Sequence, residues 1–180
     1  MNLPFHYTTN AHVTARPESL FAYLDDQARL SSHMTRSSWQ MGGGRMGIDI
    51  DAGGGQRVGS HIRMTGRVLG ITLSLDEVVV DREPPFRKAW ETVGEPRLLV
   101  IGPYRMGFTV QLEKAGSRLE VFIEYALPNG FLAGRFGRLL GGFYARWCTR
   151  RMVDDAVAHF RTALSVGSES LSQTMPEGLR

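Results

Sequence analysis

The sequence predicts an α+β domain in which a curved antiparallel sheet of about seven strands is closed by one long C-terminal helix. Two observations carry this. Through the middle of the chain, apolar and polar residues alternate with a period of two. Over the last quarter, the apolar residues fall instead at helical spacing, with no internal repeat and no linker between the two regimes.

The elements follow in order. Residues 5–15 carry β-favouring types and read as a first strand. Pro17-Glu18-Ser19-Leu20-Phe21 then starts a helix, since proline suits the first helical position and an acidic residue suits the first turn. A second short helix is expected over Gln27 to Met34. Alternation begins with Met46, Ile48 and Ile50 and returns at Val58, Ile62, Met64 and Val68, then at Ile71, Leu73 and Leu75. It recurs at Met106, Phe108, Val110 and Leu112 and at Leu119, Val121, Ile123, Tyr125 and Leu127. Strands of this kind are wet on one face and buried on the other. Gly53-Gly54-Gly55, Gly70, Pro84-Pro85, Gly94-Glu95-Pro96 and Gly116-Ser117 supply turns between them, so a meander of six strands should follow the helix pair.

The last helix should run from about Gly130 to Leu164. Its first half places Leu132, Phe136, Leu139, Leu140, Phe143 and Trp147 on one stripe; its second half uses Met152, Val153, Ala156, Val157, Phe160 and Leu164. At about 100° per residue the two stripes lie roughly 110° apart, so one straight helix cannot press both on a single flat surface. Gly141-Gly142 between them marks a bend or a close contact. Residues 1–164 therefore read as one domain, and residues 165–180 as a frayed tail.

Composition narrows the function classes. The chain has 180 residues, 42% hydrophobic and 22% charged, with a net charge of only +3. These are globular values for a single domain. No basic, apolar leader opens the sequence, and no apolar run approaches the roughly 20 residues of a membrane span. The single cysteine, Cys148, forbids an internal disulfide, and the expected location is cytoplasmic. The five histidines show no zinc-ligand spacing, so neither metal nor cofactor is expected. The glycine triplets lack a following Lys-Ser/Thr, and Ser37-Ser38 and Cys148 have no base nearby in sequence. Arginines 135, 138, 146, 150 and 151 have two readings: a solvated helix face, or a surface that meets a membrane or an acidic partner. Nucleic acid is not expected, because no aromatic residues interleave them.

The chain resembles a known family at Pro17-Glu18-Ser19-Leu20-Phe21-Ala22-Tyr23-Leu24-Asp25-Asp26 and Gly59-Ser60. The likeness continues through Glu83-Pro84-Pro85-Phe86-Arg87-Lys88, Trp90-Glu91-Thr92 and Gly102-Pro103-Tyr104-Arg105-Met106-Gly107-Phe108 to Tyr144-Ala145-Arg146-Trp147-Cys148 and Arg151-Met152-Val153. In these segments it is similar to bacterial members of the START-like (SRPBCC, Bet v 1-like) superfamily, in the polyketide cyclase/dehydrase group, over about residues 5–164. The resemblance implies the helix-grip fold: strand, two helices, six strands, long helix. It also implies a small hydrophobic ligand such as a lipid, quinone or polyketide, or else a cyclase or dehydratase activity, but it transfers no catalytic residue.

The ligand would be held between the concave sheet face and the C-terminal helix. The expected lining is Met46, Met64, Leu75, Trp90, Tyr104, Met106, Phe108, Ile123, Tyr125, Phe136, Leu140, Phe143 and Trp147. Such soft and aromatic side chains either fill a solid core or wall an apolar pocket. Glu77 is the candidate catalytic group. Strict alternation puts it on the face of Leu73 and Leu75, where a desolvated carboxyl would act as acid, base or anchor. A bulge after Asp76 would turn it outward instead, and Val78-Val79-Val80 gives no phase to decide.

Overall fold

The computed structural model describes residues 1–26, 45–68, 70–128 and 135–172; the side chains of Arg45, Met46, Val68, Arg135, Phe136 and residues 163–172 lie outside that description. Strand β1 (Phe5–Val13) leads into helix α1 (Pro17–Asp25). The meander follows as β2 (Arg45–Ile50), β3 (His61–Val68), β4 (Ile71–Glu83), β5 (Arg87–Arg97), β6 (Tyr104–Glu113) and β7 (Gly116–Tyr125). Helix α2 (Arg135–Ser172) ends the chain. The second short helix expected over 27–34 lies outside the described residues.

All seven strands form one antiparallel sheet in the order β1-β7-β6-β5-β4-β3-β2. Only β1 leaves the meander order, pairing with β7 in unbroken register from Phe5–Tyr125 to Val13–Ser117. Two register shifts bend the β4–β5 pair, one between Ser74 and Asp76 and one between Val79 and Asp81. Such irregularities increase local twist and curl the sheet. The concave face is apolar because alternation holds along each strand: Leu73, Leu75 and Val79 on β4, Met106, Phe108 and Val110 on β6, and Leu119, Val121, Ile123 and Tyr125 on β7 are all buried. With α1 and α2 against this face, the arrangement is the helix-grip one.

Each helix covers a different part of the sheet. Proline at the first position of α1 fixes its start, and Leu20, Phe21 and Leu24 face inward. Phe21 meets Phe108 at 5.6 Å between ring centroids. Helix α2 lies over β1 and β7, where the Thr9 and Thr149 hydroxyls share a hydrogen bond of 2.9 Å. Its later turns reach α1: Tyr23 stacks on His159 at 4.4 Å and donates its hydroxyl to the Asp155 carbonyl at 3.3 Å. The middle turns of α2 thus cover the sheet while its later turns pack against α1.

The phase of the first stripe differs from the expected one. Phe143 was expected against the sheet, yet it is 71% exposed, as is Leu139 at 70%. The residues that face inward are Gly141, Ala145, Cys148 and Thr149, while Leu140 and Trp147 are half-buried. The reason is steric. The sheet already supplies bulky side chains, so the helix must present small ones to approach it. A Cβ on Gly141 would lie 3.1 Å from the Tyr125 ring and 3.3 Å from the Val100 carbonyl oxygen. Of the glycine pair, Gly141 makes the close contact. The helix also runs to Ser172, past the expected end at Leu164, since no proline interrupts it before Pro176.

Candidate functional site

Cross-strand pairing sorts the concave face into rows. One row runs Ile62–Glu77–Thr92 across β3, β4 and β5. The next runs Val79–Trp90–Met106–Ile123, and a third runs Arg82–Lys88–Phe108–Val121. Directly opposed residues share a face, so these rows place Glu77, Trp90 and Lys88 on the same inner surface as the apolar core.

Glu77 points inward. Of the two register shifts, the one between Ser74 and Asp76 takes up its extra residues on β5 and leaves β4 in phase, and the other falls between Val79 and Asp81, beyond Glu77, so the alternation of Leu73, Leu75, Glu77 and Val79 is intact. Glu77 is 2% exposed. The Tyr104 hydroxyl donates to its Oε1, and Tyr104 is itself held by its neighbour: its backbone N–H donates to Thr92 Oγ1 at 3.1 Å. Oε2 is buried with no hydrogen-bond partner among the described residues. Burial pushes the Glu77 carboxyl up to about 7, although the Tyr104 hydroxyl, the Trp90 indole and the Lys88 ammonium all favour its charged form. The indole is a hydrogen-bonding neighbour of the carboxyl, but among the described residues no donor reaches Oε2 within full hydrogen-bond geometry.

Two groups from α2 approach the same place. Burial raises the Tyr144 hydroxyl well above its ordinary value, and the nearby Cys148 thiol adds to the effect. Burial likewise pushes the Cys148 thiol up to about 12, against the Tyr144 hydroxyl, so the cysteine is an inert thiol at neutral pH. The site therefore holds one titrating carboxyl, two phenolic hydroxyls and a neutral thiol inside an apolar, aromatic wall.

A second buried polar cluster lies one row away. Lys88, 1% exposed, places Nζ 3.0 Å from Asp25 Oδ1 and donates to the Asp25 carbonyl oxygen at 3.2 Å. Arg82 grips the same carboxylate from its other side, Nη2 to Oδ2 at 2.7 Å and Nε to Oδ1 at 3.1 Å. Burial alone would raise the Asp25 carboxyl, but Arg82 and Lys88 hold it below its usual value. Burial lowers the Lys88 ammonium, opposed by Asp25. This cluster ties the last residue of α1 to β4 and β5. Among the described residues, no group of histidine, cysteine and acidic side chains is arranged to hold a metal.

The expected lining residues Met64, Leu75, Trp90, Tyr104, Met106, Phe108, Ile123 and Tyr125 are brought together on the concave face. Leu140 and Trp147 flank it from α2. Phe143 is turned away by the helix phase, and the side chains of Met46 and Phe136 lie outside the described residues. Sequence reasoning missed Lys88, Asp25 and Tyr144. Lys88 had a signal: it shares strand parity with Trp90, which was expected to point inward. The arginine face of α2 is also better defined than the sequence suggested. Arg138 lies over the Phe5 ring at 5.5 Å and Arg146 over Tyr7 at 5.9 Å, so β1 supplies the aromatics that the helix lacks. Among the described residues, no helix is long and apolar enough to cross a membrane.

The profile of a family described as "Polyketide cyclase / dehydrase and lipid transport" matches residues 4–165. No curated protein matches the sequence. Solved structures are similar in fold. One, from Thermus thermophilus, has a TM-score of 0.60 at 15% identity, covering 89% of this chain and 99% of its own. A protein from Chromobacterium violaceum gives 0.55 at 15% identity, with 87% and 98% covered. A protein from Rhodobacter sphaeroides gives 0.51 at 20% identity, with 89% and 92% covered.

Proposed function

This chain belongs to the polyketide cyclase/dehydrase and lipid transport family, and from that premise we propose that it binds a small hydrophobic molecule (a lipid, quinone or polyketide) between the concave sheet face and α2. One observation carries the reading. Glu77 is a carboxyl buried in an apolar wall with one oxygen unpartnered among the described residues, an arrangement that costs stability where an apolar side chain would not. A group of that kind is kept for what it does with a ligand. The wall around it is of the type that surrounds small molecules: Met64, Trp90, Met106 and Tyr125 are large, soft or aromatic and buried. The cavity should measure at least ~300 Å³, the lower end for such sites.

Native mass spectrometry of gently purified protein tests this. A bound species, removable by organic extraction and replaceable by a lipid, quinone or aromatic polyketide, is the expected result. A protein that carries nothing and takes up none of these compounds would overturn the reading.

The Glu77–Tyr104 pair favours a second reading, an enzyme of the cyclase or dehydratase type. A carboxyl that titrates near neutrality can both accept and return a proton, and a phenol beside it can polarise a ligand carbonyl. In that case Glu77→Gln abolishes turnover while apolar affinity persists. A variant that keeps full turnover excludes the acid–base role and leaves a binding protein.

A further inference from the structure

Resting on the reading of this interior as a ligand site, we infer that Glu77 Oε2 is the anchor for one hydroxyl on the ligand, so the preferred ligands are apolar alcohols or phenols rather than ketones, ethers or carboxylates. The two oxygens of Glu77 are not equivalent. Oε1 accepts from the Tyr104 hydroxyl, which fixes the plane of the carboxyl, while Oε2 is buried without a partner among the described residues. Groups that face the carboxyl from neighbouring elements are donors or cations: the Tyr104 hydroxyl from β6, the Trp90 indole and Lys88 ammonium from β5, and the neutral Tyr144 hydroxyl and Cys148 thiol from α2. Asp76, before it in the chain, is an anion that opposes its charged form, and it is itself engaged by His61 at 2.9 Å and Arg63 at 3.4 Å. Among the described residues none of these donors completes a hydrogen bond at Oε2. A ligand hydroxyl supplies that bond and stabilises the carboxylate. A ligand carboxylate would set a second negative charge against Glu77, and an ether or ketone would leave Oε2 as it is.

The inference makes a specific statement about glutamine. Tyr104 donates, so in Glu77→Gln it selects the amide oxygen and turns the NH2 toward the position of Oε2. The anchor changes from acceptor to donor, and ligand preference should invert.

The experiment uses two matched probe series on the full chain at about pH 8, where Glu77 is ionised. One series is naphthalenemethanol, its methyl ether and acetonaphthone; the other is dodecanol, dodecyl methyl ether and methyl undecyl ketone. Affinities are read by calorimetry or dye displacement on wild type, Glu77→Leu and Glu77→Gln. In wild type the alcohol should bind about ten- to hundredfold more tightly than its ether or ketone, the range for a hydrogen bond to a charged acceptor. In Glu77→Leu the preference disappears or favours the ether, and in Glu77→Gln the ketone overtakes the alcohol. Equal binding of all three probes by wild type and Glu77→Leu overturns the anchor and leaves the apolar site standing. A wild-type preference for the ketone overturns the donor assignment, because Glu77 would then be donating. No binding by any member of either series overturns the ligand site itself, and the anchor with it.

Discussion

Replacing Glu77 with glutamine separates the charge of this side chain from its shape, and the structure sets the size of the effect. Folding raises the carboxyl from 4.5 to about 7. The protonated acid is therefore the form the fold favours. Its full contribution is present below about pH 4.5 and is lost as pH climbs through about 7. A shift of this size corresponds to roughly 3 kcal/mol of lost stability, taking about 1.4 kcal/mol per unit. The group is wholly buried, so solvent screening does not reduce it. Glutamine keeps an acceptor for Tyr104 and never ionises. Relative to wild type, Glu77→Gln should thus gain about 3 kcal/mol between roughly pH 5 and pH 8. For a chain of this size that is a change of about 6–12 °C in the melting-temperature difference. Paired urea titrations of the two proteins across that range provide the assay. A stability difference that does not change with pH would refute the raised carboxyl and the burial argued for it.

Asp25→Asn should cost about 3–5 kcal/mol in chemical denaturation, because it removes the carboxylate shared by the buried Lys88 and the part-buried Arg82; Lys88→Met should cost less, since Arg82 still satisfies Asp25. Gly142→Ala should raise stability by up to about 1 kcal/mol, its Cβ meeting only the Tyr125 hydroxyl at 3.8 Å, whereas Gly141→Ala should fall about 1–3 kcal/mol below it through crowding. Phe143→Ala should change the melting temperature by no more than a surface substitution does, within about 0.5 kcal/mol; a loss of several kcal/mol would restore the packing first expected of this residue.

The sheet was legible because period-two alternation survives in β2, β3, β4, β6 and β7, and because glycine and proline mark the turns. β5 was hidden, for its buried residues Lys88, Ala89 and Trp90 run consecutively and show no alternation. The irregularity near Val80 that accompanies them comes from pairing with β4, which is not written in either strand alone. Glu77 was ambiguous for the same reason: a run of three valines cannot report which way a strand faces. The helix failed in a different way. Weighting large apolar residues put Phe143 on the sheet, but the inner surface of α2 is set by what the sheet leaves room for, and that selects Gly141, Ala145 and Cys148. Lys88 and Asp25 were visible as letters. Their pairing was not, since 63 positions separate them in the chain.

The pairing of β1 with β7 bears on how the chain reaches this structure. Its partners lie between 104 and 120 residues apart. Loops of that length close slowly, and contacts between them form late. During synthesis the first strand emerges long before the strand it needs, while the meander from β2 to β7 can assemble by hairpins. Until β1 docks, β7 presents an open edge whose inner face carries Leu119, Val121, Ile123 and Tyr125, an invitation to pair with another chain. Loss of the first dozen residues would make that transient edge permanent. The expected consequence is aggregation of an otherwise assembled sheet rather than a simple loss of ligand.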